Sequence, residues 1–413
     1  MLFSTGRLTR QHLILVAIVC SGVGLYGWGI FVATFSHDGA LGPHYNAPGT
    51  DWMVFYAAVR TYFDGNLPLI FDGNAFTAHL NARFADWLTG PLPYHPWLYP
   101  PHFLLLLLPL GLLSFGVSYF TFIAITLAAL CIVIWAFAGS GNAARLQLGS
   151  LLLCPAAAIT ATVGQNAFLT AALLLAGFRL LERSPVLGGS LLGVLTIKPQ
   201  FWLMTPVALI AGGEWRALLS AGITALALLV ATAAVFGLDT WQKWFLTAVI
   251  PPRDVYQSWL EWGRMAGQSV YTCARVLGAS DGLANAAQAI AALLAGSCVF
   301  WVFRCPFPSD VRLIVLLSAT LVAAPHVSPY DTVLVAIAAT LLFCRAIEHA
   351  LPFPYVILAL AMWVLPPFSE PRSSRVMLLT PILIGVFAVV VIVGARMAAR
   401  PVANTRQAAA QHR

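Results

Sequence analysis

Long apolar runs separated by short polar clusters dominate the chain, covering residues 13–35, 101–113, 115–138, 146–163, 168–181, 186–197, 200–211, 217–236, 283–303, 311–324, 332–342, 353–366 and 376–393. None alternates apolar and polar residues as a barrel strand does, and apolar stretches of roughly 17–25 residues cross a bilayer as helices. The pattern predicts an all-α polytopic integral membrane protein with about 11–13 transmembrane segments. Several runs are too short to cross upright. The run 101–113, which begins in Tyr99-Pro100-Pro101, is expected to be re-entrant or broken, because the loops on either side of it otherwise fall on inconsistent faces.

Two stretches interrupt this apolar pattern at length, 36–100 and 237–282, and both are expected outside. Within the first, 51–63 and 75–88 read as amphipathic helices carrying Trp52, Phe55, Tyr62, Phe76, Phe84 and Trp87, aromatics of the kind that settle at a membrane interface. Residues 1–400 read as a single domain, and the Ala/Gln/Arg-rich end, 401–413, reads as a disordered cytoplasmic tail.

Composition narrows the class further. Sixty per cent of the 413 residues are hydrophobic and 9% charged, and the mean hydropathy is +0.84; a soluble globule carries about 25% charged residues. The net charge of +7 does not point to nucleic acid, because the basic residues are scattered along loop ends and the two termini. Arg7 and Arg10 at one end, and Arg396, Arg400, Arg406 and Arg413 at the other, place both termini in the cytoplasm by the positive-inside rule. The seven cysteines form no CxxC or Cys/His cluster.

Candidate chemistry sits in the polar breaks. Asp51 leads the run Asp51-Trp52-Met53-Val54-Phe55-Tyr56-Ala57-Ala58, followed by Gly65, Phe71-Asp72, Tyr99-Pro100-Pro101 and Pro109-Leu110. Further on come Gly164-Gln165-Asn166, Gly188-Gly189 leading to Thr196-Ile197-Lys198-Pro199, Arg275-Val276-Leu277-Gly278 with Gln288, and Pro325-His326 with Tyr330-Asp331. In order and spacing these resemble bacterial glycosyltransferase family 87. Two departures stand out: the Gly-Gln-x-Asn turn lacks its intervening residue, and His326 replaces the first tyrosine of Pro-Tyr-x-x-x-Tyr-Asp.

The resemblance implies a membrane transferase of the GT-C type, with juxtamembrane helices over its active site and no nucleotide-sugar domain. It also implies an inverting hexosyltransfer, mannosyltransferase-like, from a polyprenyl-phosphate sugar to a glycan or glycolipid hydroxyl on the periplasmic side of a bacterial inner membrane. Membrane lipids and the lipid-linked sugar are the expected partners, with no nucleic acid. No cofactor or metal is expected: His95, His102 and Asp51 lack the acidic pair or HExxH that would accompany a metal site.

Such a transfer needs a base for the incoming hydroxyl and cations or donors for the departing phosphate. Asp51 is the candidate base, placed in a first helical turn by Thr50 as N-cap, although it could simply complement that helix end. Lys198, one of two lysines, faces the donor phosphate by the resemblance, or else snorkels to the interface. Gln165 and Asn166 could bind donor, or Asn166 could cap the next helix; Asp331, with Tyr330 and His326, could orient sugar and phosphate, or cap the helix beginning at Thr332. Arg253 and Arg264, in an aromatic loop, could contact donor or lipid headgroups, and Tyr56 and His102 complete the candidate donor-binding set. Two other classes remain open: a transporter or lipid flippase, for which the chain shows no repeated halves, and a catalytically silent relative.

Overall fold

A computed structural model describes residues 9–35, 48–88, 90–249, 267–368 and 378–411. Among these residues the chain is mainly helical, with no strand. Six helices are long and apolar enough to cross a membrane: Gln11–Ala33, Phe115–Phe137, Trp215–Phe236, Asp281–Arg304, Pro329–Glu348 and Thr380–Met397. Gly141–Leu153 and Pro155–Val163 form a seventh if counted as one span bent by 54°. The bend falls where Cys154 adopts an extended conformation ahead of Pro155, which has no N–H for the ladder.

Several of the other apolar runs are short helices, among them Pro101–Leu112, Ala167–Leu180, Pro185–Ile197 and Phe353–Leu365. Among the described residues six or seven helices are full-length spans, against about 11–13 transmembrane segments expected, and the other apolar runs are shorter helices. Prolines at 101, 155, 185 and 199 begin new helices and explain the difference. The last helix, Thr380–Gln411, continues past Pro401 into the stretch expected to be a disordered tail, where Ala, Gln and Arg favour helix.

The first polar stretch departs from its expected form. Helix Thr50–Phe63 is buried along nearly its whole length, from Thr50 through Thr61, with Asp51 and Arg60 the part-exposed exceptions. Its buried residues cover nearly every face, so protein surrounds it where one exposed polar face was expected. The lid over it is aromatic: Phe55 meets Trp97, Tyr99, Phe103 and Phe122 ring to ring, and Tyr56 meets Phe115. The second expected helix runs Gly73–Arg83; Asp72 accepts from the Ala75 N–H, and Phe76, Thr77 and Leu80 are buried.

Close helix packing determines where Lys198 lies. Helix Pro185–Val194 lies against Trp215–Phe236 with Gly189 facing Ala217 and Gly193 facing Ala221, a small-residue seam on both helices. A Cβ on Gly189 would sit 2.2 Å from the Ala217 carbonyl oxygen, and one on Gly193 would sit 2.6 Å from that of Ala221. Gly189→Val is therefore expected to destabilise the protein by about 1–3 kcal/mol through overpacking, read as a lower unfolding temperature in detergent. Displacement of Lys198, which lies just past the end of that helix, should accompany it.

Candidate active site

Two left-handed glycines bring the first part of the site together. Gly49 (φ 74) is the N-cap of Thr50–Phe63, in the place expected for Thr50, and its N–H donates to the Thr162 carbonyl at 2.6 Å. Gly164 (φ 76) caps Pro155–Val163, and a Cβ there would lie 2.6 Å from Trp52 Cβ. Both positions need φ > 0, and the second also needs the missing side chain. The turn after Gly164 thereby sits beside the first turn of the helix that bears Asp51.

Across this junction, Gln165 Nε2 donates to Asp51 Oδ2 at 2.7 Å. Gln165 Oε1 accepts from the Asn166 N–H and from the Tyr99 hydroxyl, both at 2.8 Å. Asp51 is part-exposed and lines a pocket shared with His95, Tyr99, Lys198, Arg275 and His326. Burial by the surrounding protein pushes its carboxyl above the usual Asp range, while His95, the Gln165 amide and Lys198 work in the opposite direction. Tyr99 is held well above the ordinary phenol value by burial first and then by Asp331 and Asp51, so its hydroxyl stays protonated and donates.

The opposite wall comes from two distant segments. Helix Pro185–Val194 tightens into a 3₁₀ turn, Leu195–Ile197, and Lys198 leaves the helical conformation (φ -130, ψ 77) before Pro199 opens the next helix. Lys198 Nζ donates to Asp331 Oδ1 at 2.5 Å, and both side chains are 3% exposed. The ammonium also lies 4.5 Å from the Phe201 ring centroid and 5.2 Å from that of Tyr330. This is a buried ion pair with aromatic walls; the ammonium does not snorkel. Asp331 also caps: its Oδ2 accepts from the Ser328 N–H at 2.9 Å in a capping box that opens Pro329–Thr332.

Of the other expected site residues, Tyr330 and His326 line the pocket. Asn166 is fully buried at the start of Ala167–Leu180, and its side chain makes no capping bond. Tyr56 and His102 are not in the pocket wall. Tyr56 donates to the Leu113 carbonyl at 3.0 Å, and His102 stacks on Trp241 with Nε2 3.3 Å from the Thr196 hydroxyl. Arg253 and Arg264 lie outside the described residues.

Residues that the sequence marked at most as motif members, without a site role, complete the surroundings. Arg275 is braced by Asp281 at 3.3 Å and donates to the Ala279 carbonyl at 2.5 Å. Tyr271 donates to the same Asp281, and its N–H donates to Gln288, which is clamped in turn onto the Val322 and Ala323 carbonyls. Arg275 stands in one of the motif stretches and Tyr99 in another, but nothing local in the sequence marks either as a wall residue; Gln288 lies behind the wall and holds Tyr271.

The sequence profile of Glycosyltransferase family 87 matches residues 97–329. The chain belongs to glycosyltransferase family 87. It is a multi-pass membrane glycosyltransferase by that membership and by its helices. Comparison with curated proteins and with solved structures finds no match. The matched span of the family 87 profile contains Tyr99, Gln165, Lys198, Arg275 and His326; Asp51 precedes it, and Tyr330 and Asp331 follow directly after its end.

Proposed function

We propose that this family 87 transferase moves a hexose, mannose-like, from a polyprenyl-phosphate donor to a hydroxyl of a glycan or glycolipid at the periplasmic face of a bacterial inner membrane, with inversion. The observation that carries the reading is a single pocket with Asp51 on one wall and, on the other, Arg275 and the Lys198 ammonium paired with Asp331. Asp51 takes the proton of the acceptor hydroxyl as its oxygen bonds to the anomeric carbon. The bond from that carbon to the phosphate oxygen breaks with its electron pair on phosphate. Lys198, Arg275 and His326 face the charge that develops there, where attraction between unit charges 4 Å apart is about 4 kcal/mol at an effective dielectric of 20. No residue in this scheme needs a metal.

The test is transfer of radiolabelled sugar from polyprenyl-phosphate-hexose in membranes containing the wild-type protein, with acceptors extracted and identified. Label that enters a lipid or glycan only when the protein is present supports the reading. Donor-dependent movement of lipid across vesicles without label transfer would replace it with a transporter.

The raised carboxyl of Asp51 gives a second test. Ionised Asp51 is the active form, so transfer should fall as pH is lowered through its raised pKa, at a pH above the ordinary Asp value of about 3.9. The linkage runs the other way for folding. Because the folded state favours the protonated form, this group destabilises the fold as pH rises through the same window and not as pH falls. Acid loss of activity with an unfolding temperature that holds or rises is the expected combination.

A further inference from the structure

Gln165 was expected among the donor ligands; it lines the pocket, yet its oxygen accepts twice and its NH₂ donates to Asp51 within the protein. The side chain is 2% exposed, and each end has a partner of fixed character. The Asn166 N–H can only donate, so the amide atom 2.8 Å from it is the oxygen. The Tyr99 hydroxyl, kept protonated by its surroundings, donates to that same oxygen. With the oxygen pinned twice, the NH₂ group must face Asp51, and an amide NH₂ donates and does not accept. Asp51 Oδ2 is therefore committed as an acceptor. Oδ1 has no hydrogen-bond partner among the described residues, and Asp51 lines the pocket.

We infer that Gln165 is a positioning residue that dictates which oxygen of Asp51 works as the base: held by the Asn166 N–H and Tyr99, it occupies Oδ2 and leaves Oδ1 to receive the proton of the incoming hydroxyl. The inference rests on Asp51 being the base. In the transfer step the acceptor proton moves to Oδ1, the acceptor oxygen bonds to the anomeric carbon, and the phosphate leaves with the bonding pair. A proton arriving at Oδ2 would instead meet the Gln165 N–H and displace the bond that orients the carboxylate. The amide thus directs proton traffic without touching sugar or phosphate.

Gln165→Leu removes both ends of the brace at similar size. The expected result is a fall in kcat of about 10- to 100-fold from a misoriented base, with donor KM changed less than about twofold. The acid limb of the pH profile should move to higher pH, because a hydrogen bond that favours ionised Asp51 is gone. Gln165→Glu should move that limb further, since a second carboxyl beside Asp51 opposes its ionisation. Tyr99→Phe, which keeps the Asn166 N–H, should show a smaller fall in kcat with the same sign of pH shift. It carries the test together with Gln165→Glu if Gln165→Leu does not fold.

Infrared difference titration of the Asp51 carboxyl, taken against Asp51→Asn, reads the shift in purified protein with no donor present. A raised donor KM with unchanged kcat and pH limb would overturn the inference and return Gln165 to the donor site. Wild-type kinetics in all three variants would overturn it equally. If Asp51→Asn itself transfers at the wild-type rate, the base assignment fails and not merely the role of Gln165.

Discussion

Asp51→Asn should lower single-turnover transfer by about 10²- to 10⁴-fold, the usual contribution of a positioned general base, while the protein stays folded and binds donor. The replacement is nearly isosteric, and an Asn carbonyl can still accept from Gln165 Nε2. The variant also deletes a carboxyl whose ionisation the fold disfavours, so its unfolding temperature should equal or exceed the wild-type value. Loss of function without loss of stability is thus the signature to look for in purified protein given radiolabelled donor. Wild-type turnover by Asp51→Asn would move the base elsewhere on the pocket wall, with His95 the next group to test.

The Lys198 and Asp331 pair predicts a different combination. Lys198→Met leaves a carboxylate 3% exposed with no cation, and breaking a buried pair from one side typically costs about 3–5 kcal/mol. That variant should lose both transfer and thermal stability, which by itself cannot separate catalysis from folding. The double variant Lys198→Met/Asp331→Asn separates them. Asn in place of Asp331 can still accept from the Ser328 N–H and preserve the cap, and no uncompensated charge remains. Its unfolding temperature should recover most of the loss while transfer stays at background. Recovery of transfer along with stability would make the pair structural and leave Arg275 and His326 to face the phosphate.

Much of the fold was legible because apolar runs and prolines act locally. Pro199 after Lys198 marked the turn that the structure contains, and Pro155 marks a bend inside a run that reads as one segment. The embedding of Thr50–Phe63 was not legible. Its sequence reads as amphipathic, and only the packing of Trp97, Phe103 and Phe122 over Phe55 shows what covers its other face. The pocket followed the same rule. Asp51, Gln165, Lys198 and Asp331 each stood out from their own neighbours, but their pairing joins positions 114 and 133 residues apart. No local pattern encodes such partners. Tyr56 and His102 showed the converse: proximity to a motif in sequence placed them near the pocket without turning them into its wall.

The long separation within the ion pair has a consequence for how the protein is made. Lys198 is synthesised 133 residues ahead of the carboxylate that neutralises it. At about 5–20 residues per second, the nascent chain must hold an unmatched cation at the end of an apolar helix for roughly 7–27 s. Membrane insertion of the first two hundred residues therefore runs ahead of their electrostatic completion, and the catalytic end of that helix cannot dock until the segment bearing Asp331 leaves the ribosome. A chain truncated before residue 331 would carry every residue of the Asp51 wall and still present an orphaned ammonium.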